Sequence, residues 1–385
     1  MQYNFDEIID RRGTDCFKWD ALQAMYGRGD VTPMWVADMD FRSPDFVMEA
    51  IRHRCDHEVL GYTMPSEGYW QAVTMWLEKH YKIQTTKQEL HFIPGIVAGI
   101  AYALLCLTQP GDRVLVTTPV YPPFLNLPKD SGRTLVCSPL RITNGQFGID
   151  FDDFERKAER CKVFIMSNPH NPAGTVWGTE VLTKIADICE KHNVLVISDE
   201  IHADLTLPGH QHVSYGTVSS KGITFMAPSK TFNIAGLGSS VCYIADESLR
   251  KRFFGWLDAL GVAGGNIFAF TAAEAAFAQG GEWLRQMLEY LSENVKTLDR
   301  FLQERMPKVK VVLPEASYLA WLDFSGYGLT HEQLKQKLLN EAKVALNDGT
   351  TFGGGKYECC FRLNLGCPRS ILIDALSRIA DSINE

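Results

Sequence analysis

From residue 114 to residue 245 the chain repeats one pattern: a short apolar run, then a polar or helix-like stretch. The runs fall at 114–116, 134–136, 163–166, 194–197, 222–227 and 240–245, and helical periodicity fills, for example, 179–192. Runs this short that lack polar alternation read as strands buried on both faces. Joined by helices, such strands make a mostly parallel sheet with helices on each side. The expected fold class is therefore α/β, with a sheet of the seven-stranded type in a large domain. Ligands of such sheets sit beyond the carboxyl ends of the strands. The polar clusters that end the runs are thus where chemistry is expected.

A chain of 385 residues can bury more than one core. Past Gly265 helices dominate from 267 to about 305, and short runs at 310–313, 319–323, 344–346 and 360–363 precede a last helix over 369–383. This reads as a smaller α+β domain. Residues 1–40 read as an extended arm joined to it. Ser43-Pro44 starts a helix that runs to about 57, another covers about 67–80, and Pro94-Gly95 opens an Ala-rich helix to 107. The expected division is an arm over 1–45 that is part of the small domain, a large domain over 46–280 and a small C-terminal domain over 281–385. The formal net charge of −8 and the lack of a basic run argue against nucleic acid as a partner. The N-terminus has neither the cationic start nor the apolar core of a signal peptide. The apolar stretch near 96–107 is too short for a membrane span. None of the ten cysteines forms a C-x-x-C pair, which suits free thiols in a reducing compartment. A cytoplasmic protein is expected. Cys359-Cys360 is read as part of a strand, its two side chains on opposite faces.

The run at 222–227 ends in Ala227-Pro228-Ser229-Lys230-Thr231-Phe232-Asn233, followed by small residues. A lysine held there can lose its proton more easily than a surface lysine and act as a Schiff-base nucleophile or proton carrier; a plain loop lysine is the alternative. The run at 194–197 ends in Ser198-Asp199-Glu200-Ile201-His202. A carboxylate there can pair with a cationic ring nitrogen or simply cap a helix. Asn168-Pro169-His170-Asn171-Pro172-Ala173-Gly174 is a stiff turn whose Asn171 can donate to a phenolate-type oxygen, or an ordinary Asn-Pro turn. Pro94-Gly95-Ile96-Val97 begins a helix whose free N–H groups suit a phosphate. Tyr121 follows Thr118-Pro119 and can stack on a flat ring or fill the core. Arg362, between Phe361 and Leu363, has the fork that suits a carboxylate, unless it lies exposed on an edge strand.

In this order the pieces resemble pyridoxal-phosphate enzymes of the aspartate aminotransferase fold, the class I and II aminotransferase superfamily. Met34-Trp35-Val36-Ala37-Asp38-Met39-Asp40-Phe41, Gly61-Tyr62-Thr63, Asp199-Glu200-Ile201-His202 and the stretch from Ser229 to Leu237 resemble, more narrowly, its MalY/PatB-type cystathionine β-lyase branch. The resemblance implies pyridoxal 5′-phosphate as cofactor, held covalently by Lys230. It implies that Asp199 faces the pyridine nitrogen, and that Asn171 faces the ring hydroxyl oxygen. His202 would lie near that oxygen, where many relatives have a tyrosine. Tyr121 would stack on the ring. Gly95, Ile96 and Val97 would offer backbone N–H groups to the phosphate, and Ser229 a hydroxyl. Tyr62 would reach the phosphate of the neighbouring subunit in a homodimer. Arg362, with Asn171, would hold the substrate's α-carboxylate, and the backbone of Ala37 would close over it. Two positions depart from the pattern: Ala227 stands where many relatives have serine, and Gly238 where many have arginine. The implied reaction is α,β-elimination from a sulfur-containing amino acid such as cystathionine, cystine or cysteine, giving a thiol, pyruvate and ammonia. An aminotransferase is the alternative, because the first steps are shared. A cofactor-sensing regulator is a remoter one, since no basic DNA-binding domain stands ahead of the enzyme-like part that begins near Trp35.

No metal is expected. His202, His210 and His212 with Asp204 match no standard zinc spacing. The Gly-rich stretch 349–356 departs from the phosphate-loop pattern at Thr350 and Tyr357, and Gly236-Leu237-Gly238 lacks the third glycine of a dinucleotide fingerprint.

Overall fold

The computed structural model describes residues 2–384. Seven strands form the main sheet: β1 (Leu90–Ile93), β2 (Arg113–Thr118), β3 (Thr134–Pro139), β4 (Val163–Ser167), β5 (Leu195–Asp199), β6 (Gly222–Met226) and β7 (Ser240–Tyr243). Their order is β1-β7-β6-β5-β4-β2-β3. Only β7 runs against its neighbours; the other pairs are parallel. This is the α/β class that the alternating runs predict. Strands β4, β6 and β7 are buried along their whole length, which explains their unbroken apolar character. Successive side chains still go to opposite faces. Val114, Val116 and Ile165 join one core with Ile100 and Phe253 from the helices Ile96–Leu107 and Glu247–Leu260. Leu115, Phe164 and Met166 join the other with Phe154 and Ile185 from Phe151–Ala158 and Thr179–Lys191.

The edge strand β1 is not foreseen from the sequence. It is four residues long with a half-buried histidine second, too little to stand out from the helix that follows.

A second sheet is antiparallel, with β8 (Lys310–Val312), β9 (Leu319–Asp323), β10 (Asn347–Asp348) and β11 (Cys360–Asn364) in the order β8-β9-β11-β10. Here three expectations need correction. The run at 344–346 is not a strand of this sheet; Val344–Ala345 pairs in parallel with Thr32–Pro33. The N-terminal residues are not extended throughout. Phe17–Asp20 and Leu22–Tyr26 are short helices, because Leu22 must turn inward to pack with Val31, Trp35 and Ala345. Cys359 is not in a strand: its φ is +63°, and β11 begins only at Cys360. All ten cysteines are free thiols. Among the described residues no helix is long and apolar enough to cross a membrane.

The two sheets are locked together at one close approach. The N–H groups of Glu315 and Ala316 both donate to the Gly174 carbonyl, at 3.1 and 2.9 Å. Gly174 has φ +71°, and a Cβ there would stand 2.1 Å from the Ala316 carbonyl oxygen. Gly174→Ala therefore meets both a left-handed backbone cost of about 1–2 kcal/mol and a clash that only backbone movement relieves. We expect a loss of at least ~2 kcal/mol, read as a lower midpoint in urea unfolding; an unchanged midpoint would contradict this packing.

Candidate functional site

The parallel strands β2, β4, β5 and β6 end on the same edge of the main sheet, and β7 begins there. Across that edge, Ser167 is paired with Asp199 and Asp199 with Phe225. The turns leaving these strands enclose a cavity of about 210 Å³. One wall is Pro94, Gly95, Ile96 and Val97; another is Tyr121 and Asn171; a third is Asp199, Ile201 and His202. Ser229, Lys230, Ala235, Gly238, Ser239, Ser240 and Ala37 complete the lining. Of the site residues expected from the sequence, only Arg362 and Tyr62 lie outside this lining. Arg362 touches the lining, because it donates to Asn171. Tyr62 is fully exposed, in a segment with exposed Val59, Leu60 and Met64.

Lys230 projects from a short helix, Pro228–Thr231, that starts directly after β6. Its Nζ donates to the Ala37 carbonyl at 2.5 Å. Enclosure of the ammonium pushes its pKa down; Asp38 and Asp199 oppose that, and Arg362 adds to it. The next residue, Thr231, donates its hydroxyl to Asp204 at 2.9 Å, and Asp204 also accepts from Trp76 Nε1 and the Tyr81 hydroxyl. That buried carboxylate fixes the short helix from below.

Ala37 is held over the lysine by a strap, residues 34–41. Asn233, at φ +54°, donates to the carbonyls of Met39 and Phe41 at 2.9 and 2.8 Å and accepts from the Met39 N–H at 3.1 Å. On the other side Asn364 donates to Val36 and Asp38 carbonyls at 2.5 and 2.7 Å, and the Tyr318 hydroxyl donates to Ala37 at 3.0 Å. Arg11 pairs with Asp38 and Asp40 at 2.9 Å each, and Lys18 pairs with Asp40 at 2.7 Å.

Arg362 lies on β11 between β9 and β10, so it is central and buried, not on an exposed edge. It donates to Asn171 Oδ1 at 2.9 Å, the Trp35 carbonyl at 2.9 Å and Asn347 Oδ1 at 2.5 Å. Its guanidinium sits 5.0 Å from the centre of the Phe352 ring. Nε is buried with no partner. With no carboxylate beside it, burial lowers its pKa to about 10. This is a buried cation with donors to spare. Because Arg362 can only donate, Asn171 must turn its oxygen to the arginine and its NH₂ toward the cavity.

Asp199 is the converse. It accepts from the Ile201 N–H at 3.0 Å and has no cation in contact. Desolvation raises its pKa to about 7, against the Ile201 hydrogen bond and Lys230, with Glu200 adding to the rise. Glu200 itself faces away, paired with His212 at 3.0 Å. His202 is neutral: burial first, then Lys230 and Arg362, lower its pKa to about 3.

Gly238 has φ +60°, and a Cβ there would stand 2.9 Å from the Pro94 carbonyl oxygen, so no larger residue fits at that position as the chain runs here. Ala227 is buried and packs with Ile93 and Phe225. Not expected from the sequence are Ser239 and Ser240, which follow Gly238 in the cavity lining, and the roles of Tyr318, Asn233 and Asn364, which hold the strap. Only the Ser-Ser pair after a glycine at a strand start was a usable signal. The histidines at 210 and 212 are engaged by Glu315 and Glu200.

The raised pKa of Asp199 has a stability consequence with a definite sign. Between the ordinary value of 3.8 and about 7 the folded chain holds a proton that the unfolded chain has lost. Stability contributed by that proton is complete below 3.8 and gone above 7. In the cofactor-free protein, Asp199→Asn should therefore raise the unfolding free energy at pH 8, by on the order of 4 kcal/mol at most, read as a higher Tm, and the difference should vanish toward pH 4. Equal melting of both proteins at pH 8 would contradict the desolvated carboxylate.

Comparison with known proteins agrees with this geometry. The family described as "Aminotransferase class I and II" matches residues 31–379. Cystathionine beta-lyase PatB of Bacillus subtilis is 42% identical over 387 aligned residues, covering 99% of this chain and 100% of that protein. The cystathionine beta-lyase of Corynebacterium glutamicum is 33% identical, covering 98% and 99%. Among solved structures, cystalysin from Treponema denticola, which contains a pyridoxal 5′-phosphate cofactor, superposes with a TM-score of 0.95 at 32% identity over 100% of this chain and 99% of that one. The PLP-bound C-S lyase from Staphylococcus hominis gives 0.93 at 35% identity, with 100% and 99% covered.

Proposed function

The chain belongs to the class I and II aminotransferase family, and from that premise we propose that it is a pyridoxal-phosphate-dependent carbon–sulfur β-lyase. Its substrates are cysteine thioethers and disulfides of the cystathionine and cystine type. The observation that carries the reading is one arrangement: Lys230 at a strand end, with an uncompensated buried carboxylate (Asp199) and an uncompensated buried guanidinium (Arg362) on either side of it.

The residues present fit the cofactor. Asp199 lacks a cation, and a protonated pyridine nitrogen supplies one and returns the carboxyl toward its ordinary pKa. The N–H groups of Ile96 and Val97 open the helix Ile96–Leu107 and have no acceptor within it, which suits a phosphate. Ser229, Ser239 and Ser240 belong to the same lining, which contains no arginine. Tyr121 forms a flat wall.

When bound, the pyridoxal group supplies an electron sink that makes a substrate's Cα proton acidic. The chain's own residues do the rest. Arg362 binds the α-carboxylate through the donors it has not used, and Asn171 orients it. Lys230, whose pKa is depressed, is the base that takes the Cα proton. The Cα electron pair would form a Cα–Cβ double bond as the sulfur group leaves Cβ, as a thiolate from a thioether or a persulfide anion from a disulfide, and water then hydrolyses the released enamine, through its imine, to pyruvate and ammonia. Asp199 holds a proton on the ring nitrogen through these steps. The strap over Lys230 keeps water from the reacting carbon.

The reading includes a homodimer, in which Tyr62 serves the site of the other copy; its full exposure, beside exposed Val59, Leu60 and Met64, supports this. It also takes residues 1–45 as part of the small domain with 281–385, and 46–280 as the large domain.

The test is product formation from L-cystathionine. We expect pyruvate and free thiol in equal amounts without added 2-oxo acid, and loss of both with Lys230→Ala. A strict need for a 2-oxo acid acceptor would make the protein an aminotransferase instead. Arg362→Lys should raise KM by about 10–100-fold, because a lysine cannot reproduce the fork, with a smaller effect on kcat.

A further inference from the structure

Ser317 is an outlier. It is a non-glycine residue at φ +72°, almost completely buried, in the turn that precedes β9. Its N–H donates to the Leu205 carbonyl at 2.8 Å, and the preceding N–H, of Ala316, donates to Gly174. Neighbours on both sides thus hold a conformation that costs about 1–2 kcal/mol for a residue with a side chain. The strained backbone aims the hydroxyl at His202. Ser317 Oγ and His202 Nδ1 are 3.0 Å apart.

Counting protons settles which of the two donates. The His202 ring is neutral in this enclosure, so it carries one N–H. If that hydrogen were on Nδ1, it would point at Ser317 Oγ. The serine's own hydrogen would then need another acceptor, and Ser317 Oγ has no second partner among the described residues. If instead Ser317 donates to Nδ1, the ring hydrogen is on Nε2. That nitrogen has no partner among the described residues, is not sealed from the cavity, and belongs to a residue that lines it. Both hydrogens then have a destination, one in the protein and one in the cavity.

We propose that Ser317 is a positioning residue that fixes His202 as its Nε2–H tautomer, so that a neutral ring presents an N–H donor to the phenolic oxygen of the bound cofactor. The inference rests on the pyridoxal-phosphate reading for the identity of that oxygen, but not for the tautomer. It gives a function to a strained serine that no motif reveals. It also explains how a histidine with a depressed pKa donates a hydrogen bond without bringing a further positive charge beside Lys230 and Arg362.

The tautomer is read on the cofactor-free full chain labelled with ¹⁵N-histidine, by two-bond ¹H–¹⁵N correlation, with His202→Phe assigning the signals. His202 should show a protonated Nε2 and an unprotonated Nδ1. Ser317→Ala and Ser317→Gly should both lose this single pattern, although glycine relieves the backbone strain and alanine does not. A merely structural role would separate the two variants in stability and leave the tautomer alone. An Nδ1–H form in the unsubstituted chain, or an unchanged pattern in both variants, overturns the proposal. The second measurement is pyridoxal-phosphate affinity. Ser317→Ala should weaken it by about 3–10-fold, the worth of one hydrogen bond, and should add nothing in a His202→Phe background. Additive losses overturn the link to the oxygen. Failure of the chain to bind pyridoxal phosphate at all would refute the proposed function, while the tautomer result would still decide the role of Ser317.

Discussion

The side-chain amide of Asn233 is the joint on which the site depends. Three residues after Lys230, it forms three hydrogen bonds with the backbone of Met39 and Phe41, and the backbone carbonyl of Asn233 accepts from the Ser43 hydroxyl at 2.9 Å. An amide has both a donor and an acceptor end, so it can bond to peptide groups much as a neighbouring strand would. Asparagine is also among the few residues that tolerate the left-handed backbone found here. The lysine turn from the main sheet and the strap from the N-terminal region are thereby made one unit. The Ala37 carbonyl can then meet both Lys230 and Tyr318, which come from different sheets.

The electrostatics of the cavity are those of a site built for a guest. Buried charges in a finished protein core are paired. Here a guanidinium has no carboxylate, a carboxylate has no cation, and the amine between them is destabilised as an ammonium. Around the rim the opposite holds. Arg11, Lys18, Asp38 and Asp40 neutralise one another within salt-bridge distance. Where a buried charge away from the cavity lacks an opposite partner, as at Asp204 and Arg133, several neutral hydrogen-bonding groups surround it instead.

Much of this was legible in the sequence, and the rest was hidden for physical reasons. Strands such as β4 and β6 announce themselves because burial on both faces demands unbroken apolar runs. β1 does not, being an edge strand with a polar residue in four. Lys230, Asp199 and Asn171 end such runs, so their place at the carboxyl edge follows from the sheet. Arg362 could be placed on a strand but not in the interior, because centrality depends on which strands pair with β11. The run at 344–346 looks like any other short strand; only its pairing with Thr32–Pro33, far away in the chain, takes it out of the small sheet. Ser317 left no trace at all, since nothing local marks a serine that is bent by contacts with Gly174 and Leu205.

Gly238 has a consequence for the routes open to mutation. Its left-handed backbone abuts the Pro94 carbonyl, so the single substitution that would install a cation beside the helix Ile96–Leu107 must also move the turn that carries Ser239 and Ser240. An anion there is left to hydroxyls and backbone amides, and an arginine at this position would need several coordinated changes in place of one.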